Sequence, residues 1–63
     1  MIEYENKKGK NFYHGELALH KPTGHICTIL CPIYLVEEDK QMWEIETYGG
    51  VIVDVSDDEL EKE

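Results

Sequence analysis

The sequence predicts an all-β domain: a meander of about five short antiparallel strands that curls into a small barrel, ending in a short turn or helix. Three observations predict it. Turn residues recur at short, regular spacing. Apolar residues alternate on both sides of a Gly49-Gly50 pair. A long apolar run, His25 to Val36, carries a proline in its second half.

Ile2 and Tyr4 alternate with Glu3 and Glu5 as a first short strand, and Asn6 to Asn11 reads as a turn. Residues 1–14 are expected to be a mobile N-terminal strand or arm on a single domain spanning 1–63. Gly15 to His20 is the next strand, with Leu17 and Leu19 on one face. Lys21-Pro22-Thr23-Gly24 is a turn, because proline pre-sets the second position and glycine suits the fourth.

In the long run, Cys27, Ile29, Ile33 and Leu35 are expected on one side, and Ile26, Leu30, Tyr34 and Val36 on the other. Pro32 removes a ladder donor, so the strand should bend there and serve two sheets. Glu37 to Gln41 is a polar loop.

The last hairpin has a register that can be argued. A three-residue loop, Tyr48-Gly49-Gly50, pairs Thr47 with Val51, Ile45 with Val53 and Trp43 with Val55. A two-residue loop would place Glu46 against Val53 and scatter the apolar set, since a one-residue slip turns every side chain over. Gly50 supplies the left-handed residue that three-residue loops want. Ser56-Asp57-Asp58-Glu59 reads as a capping box opening a helical turn, with Leu60 tucked back onto the core.

From Gly15 to Leu60 the chain resembles the small SH3-like barrels. The Gly15-Glu16-Leu17 start, the Pro22-Thr23-Gly24 turn, the Trp43-Glu44-Ile45 strand and the Val55-Ser56-Asp57-Asp58-Glu59-Leu60 ending carry the likeness. The resemblance is to a fold. It implies an interaction module for peptides, proteins or nucleic acids, of a kind common in bacteriophages and mobile elements.

With 63 residues the chain holds one domain, which leaves little material for the walls and supporting shell of a catalytic cleft. A binding protein, not an enzyme, is expected, with no cofactor. No apolar run approaches the ~20 residues of a membrane span, and no leader segment is visible, so a cytoplasmic location is expected. Cys27 and Cys31 lie four residues apart on one strand, a reach of about 13 Å, which is too far for a disulfide.

The net charge is −8, from fourteen acids against six lysines. Residues 26–63 hold eleven acids against Lys40 and Lys62, a net of −9, whereas residues 1–25 carry a net of +1. Such a balance repels nucleic acid, which binders grip with cations. In the argued register Glu44 lies opposite Asp54, Glu46 follows two residues along, and Asp57 and Asp58 come at the same end. These acids, with Tyr48 as an anchor, are the candidate surface for a protein partner with a basic patch. Carboxylates standing in for phosphates would suit an inhibitor of a nucleic-acid-handling protein.

Two alternatives use other residues. Lys7, Lys8 and Lys10 with Phe12 and Tyr13 could hold phosphates and stack bases. His20 facing His25 across the turn, with Cys27 two residues on, offers three candidate metal ligands, one short of a structural zinc set. Surplus apolar surface around Tyr34, Met42 and Tyr48 would allow a homodimer.

Overall fold

The computed structural model describes Met1–Glu63. Six strands follow in order: β1 (Ile2–Glu3), β2 (Leu17–His20), β3 (His25–Leu35), β4 (Lys40–Glu46), β5 (Ile52–Ser56) and β6 (Leu60–Lys62). A single 3-10 turn, Asp57–Glu59, joins β5 to β6. No helix is long and apolar enough to cross a membrane.

The strands form one antiparallel sheet in the order β5-β4-β3-β2-β6, and β1 also pairs with β3. The long strand therefore serves two partners along one edge. β2 takes its first half, from His25 to Thr28, and β1 takes Tyr34 and Leu35. The sheet remains open, with β5 and β6 as the ends of its path, so the closed barrel expected from the sequence is not what the strands form. The 3-10 turn spans the gap between those two edges without hydrogen-bonded pairing across it.

The last hairpin has the argued register: Trp43 pairs with Val55, Glu44 with Asp54 and Ile45 with Val53. Thr47 N–H donates to the Val51 carbonyl at 2.8 Å, and Gly50 closes the loop at φ +83°. His20 pairs with His25 across the Lys21–Gly24 turn, where Gly24 N–H donates to the His20 carbonyl at 2.8 Å.

The long strand departs from expectation at one residue. Ile29 pairs with Ile45 and Cys31 pairs with Glu44, so two steps on β3 oppose one on β4, and Leu30 is a bulge. Bulging exchanges the faces. Ile29 shares the core side with Ile45, but Cys31, Ile33 and Leu35 stand with Glu44, Met42 and Lys40 on the other. The sequence reading, which put Ile33 with Cys27 and Ile29, is corrected by that one extra residue. Ile33 is buried but outside the core cluster. The bulge leaves a carbonyl that His14 Nδ1 engages at 2.8 Å.

The core comprises Phe12, Ala18, Cys27, Ile29, Trp43, Ile45, Val55 and Leu60. Phe12 meets the Trp43 ring edge-on, centroids 5.1 Å apart at 89°. A fully buried isoleucine, leucine or phenylalanine among them contributes about 1.5–3 kcal/mol by leaving water. Leu60 tucks back as expected, with none of its surface exposed. It begins a strand that the sequence did not announce. Ser56 does not cap a helix: its hydroxyl donates to the Asp58 carboxylate at 2.6 Å.

Residues 1–14, expected as a strand or arm, are tied down by Gln41. Its Oε1 accepts from the backbone N–H of Lys7 and Lys8 at 2.8 and 3.1 Å. Its Nε2 reaches the carbonyls of Glu5, Ile33 and Met42. A buried amide with every polar atom satisfied is a strong local anchor.

Candidate functional site

Sheet alternation places the carboxylates. Trp43 and Ile45 turn into the core, so Glu44 and Glu46 turn out. Glu44 and Asp54 are directly opposed. In the ladder set by Thr47 and Val51 they form a non-hydrogen-bonded pair, in which Cα atoms approach to about 4.5 Å. Like charges so placed destabilise a sheet. No lysine intervenes: the structure's ion pairs use neither Glu44, Glu46 nor Asp54. Asp54 and Glu46 are exposed, and Glu44 is half-buried beside Cys31, whose thiol donates to Glu44 Oε1 at 3.5 Å. Burial first, then the Glu44 hydrogen bond and the charges of Glu44 and Asp54, push the Cys31 thiol above its ordinary pKa.

The remaining candidates separate. Asp57 is an internal bonding hub. One of its oxygens accepts from Trp43 Nε1 and from Lys10 N–H, both at 2.9 Å, and Lys10 Nζ lies 3.4 Å from the other. With 14% of its side chain exposed, it has little to offer a partner. Asp58 is exposed, and the Ser56 hydroxyl holds its carboxyl below the ordinary 3.8. Tyr48 is 84% exposed at the hairpin tip, its ring 5.9 Å from that of His25. Tyr34 and Met42 are half-buried, and the Tyr34 hydroxyl donates to Asp39. The docking candidates on the outer face thus contract to Glu44, Glu46 and Asp54, with Tyr48 at the hairpin tip and Asp58 at the far end.

The lysine segment is spent internally. Lys7 pairs with Glu5 and Glu3, Lys8 with Asp39 and Lys10 with Asp57. The Glu5 hydrogen bond, with the charges of Glu3 and Glu5, raises the Lys7 pKa. Phe12 lies in the core, so only Tyr13 of the two aromatics remains available to stack on a base.

His20, His25 and Cys27 do line one cavity of about 340 Å³, together with Ile45, Thr47 and Tyr48. Both His20 nitrogens are engaged, Nδ1 with Thr23 Oγ1 at 2.9 Å and Nε2 with Glu59 at 3.1 Å. Burial raises the pKa of the Cys27 thiol, which disfavours the thiolate a metal needs. No three His, Cys, Asp or Glu side chains converge on a metal position.

Sequence reasoning missed the open edge of β5. Val51, Ile52 and Val53 are all exposed there, Val51 and Ile52 at about 60%. The hairpin register carried the signal, because it identifies a strand with nothing placed beyond it. No family model, no curated protein and no solved structure matches the chain.

Proposed function

We propose that this chain is a non-enzymatic binding protein that docks on a basic surface of a protein partner through Glu44, Glu46 and Asp54. Tyr48 and Asp58 flank that surface. The observation that carries the reading is the direct opposition of Glu44 and Asp54 with no cation between them. A sheet that served only stability would gain from a lysine at either position. An arrangement of the SH3-like kind is part of the reading. The path β6-β2-β3-β4-β5, with a 3-10 turn between the edge strands, supports it. A partner that handles nucleic acid fits the charge, since carboxylates at strand spacing can occupy a groove built for phosphates.

Affinity capture from a cytosolic extract at low and at high salt tests the proposal. A partner should be retained at low salt and lost at high salt, because exposed charges are screened beyond about 8 Å at physiological ionic strength. The double variant Glu44→Lys with Asp54→Lys should lose it at both. Retention that ignores salt and the double variant alike overturns the reading.

A further inference from the structure

β5 ends the sheet path, and no strand pairs with its outer edge. In the ladder, Val53 and Val55 turn their backbone groups toward β4. The N–H and C=O groups of Ile52 and Asp54 therefore point outward. Sheet proteins ordinarily guard such an edge with proline, lysine or a bulge. β5 reads Ile-Val-Asp-Val-Ser, with no proline and no lysine, and its pairing with β4 runs without a register shift. Val51 and Val53 belong to the core-facing set, yet Val51 is 60% and Val53 36% exposed, because no strand lies beyond them.

We propose that the β5 edge is a strand-addition site that takes an extended segment of a partner protein in which lysine or arginine alternates with β-branched or aromatic residues. The proposal rests on the acidic-face reading and specifies how the partner engages it. Residues alternate between faces along a strand. On one face of the added strand, apolar side chains would cover Val51 and Val53. On the other, cationic side chains would stand beside Asp54 and reach Glu44, the pair that lacks a cation. Main-chain hydrogen bonds to Ile52 and Asp54 would supply affinity, and the alternation would supply selectivity. Charge decides the occupant. A second copy would bring Asp54 to Asp54 or beside it and set −8 against −8, whereas a cationic strand relieves both repulsions.

The test titrates the isotope-labelled full chain, followed by NMR, with a synthetic peptide of alternating lysine and valine. Two control peptides are used. In one, alternate amides are N-methylated, which keeps charge and side chains but removes edge donors. In the other, glutamate replaces lysine. Binding should slow exchange of the Ile52 and Asp54 amide protons. N-methylation should weaken it roughly tenfold or more, the equivalent of one or two backbone hydrogen bonds. Ile52→Pro, which removes an outward N–H at unchanged charge, should do the same. The peptide controls decide the matter if that variant does not fold. If both cationic peptides bind alike and shift only the Glu44 and Glu46 signals, strand addition is wrong while the acidic face stands. If neither binds at low salt, both readings fall. Equal binding of the glutamate peptide, or self-association that protects Ile52 and Asp54, overturns the assignment of a cationic occupant.

Discussion

The indole Nε1–H of Trp43 donates to the Asp57 carboxylate at 2.9 Å, and the same oxygen receives the Lys10 backbone N–H. One side chain thus joins the core strand β4, the N-terminal segment and the turn before β6. Asp57→Ala strands two donors and should cost about 2–3 kcal/mol, the desolvation of unpartnered groups. Asp57→Asn removes the same charge but keeps an acceptor, so it should cost less. Urea unfolding of both variants checks this. An Asp57→Ala protein as stable as the parent would refute the hub.

Gly9 packs against that carboxylate at φ +82°, where an added Cβ would overlap the Asp57 side chain. Gly50 is different: at φ +83° its Cβ would meet nothing closer than Glu46 at 3.9 Å. Gly50→Ala should therefore cost only the backbone term, about 1 kcal/mol. Gly9→Ala adds a steric penalty and should cost more. Thermal melting of the two variants ranks them, and the reverse order would show that the Gly9 contact is absent.

Glu44→Lys should separate stability from binding. Opposite Asp54 it replaces repulsion with attraction and should stabilise the hairpin by about 0.5–1 kcal/mol. It should also weaken capture of a basic partner. A variant that is more stable and still binds would show the acid pair to be dispensable for function.

Alkali should weaken the fold in two stages. Cys27 and Cys31 both titrate above their ordinary 9.0, chiefly through burial. The folded chain then keeps protons that the unfolded chain has released. This stabilisation is complete below pH 9.0 and drains as pH rises through the folded values. Lys7, raised from 10.5 by Glu5 and Glu3, acts in the same sense from higher pH. Replacing both cysteines with alanine should flatten the first decline and leave the second. Asp58 works oppositely: its lowered carboxyl supports the fold above pH 3.8 and loses that support as acid protonates it. Urea titrations across pH would show each limb, and an alkaline limb unchanged by the cysteine replacements would contradict their assignment.

The last hairpin was legible because Trp43, Ile45, Val53 and Val55 are separated by polar or exposed residues, and only one register sets them on one face. The long strand was not. From Ile26 to Val36 both parities are apolar, so the pattern holds no mark of where an extra residue enters, and the Leu30 bulge left no trace. Pro32, the visible irregularity, lies two residues past it and simply pairs with Trp43. Within the candidate site, the opposition of Glu44 and Asp54 followed from the hairpin register. Asp57 was misjudged for a different reason: a Ser-x-x-Glu pattern reads locally, whereas its partners Lys10 and Trp43 are distant in sequence. Strand β6 holds one apolar residue, Leu60, too few for alternation to appear.

That late strand sets a schedule for folding during synthesis. Leu60 fills the centre of the core, and Leu60–Lys62 pairs with Ala18–His20, laid down some forty residues earlier. Lys62 also reaches back to the Asn11 carbonyl. While the ribosome still conceals these positions, β2 has a bare edge and the core lacks Leu60. Until Leu60–Lys62 emerge, the apolar strands laid down before them lack this cover.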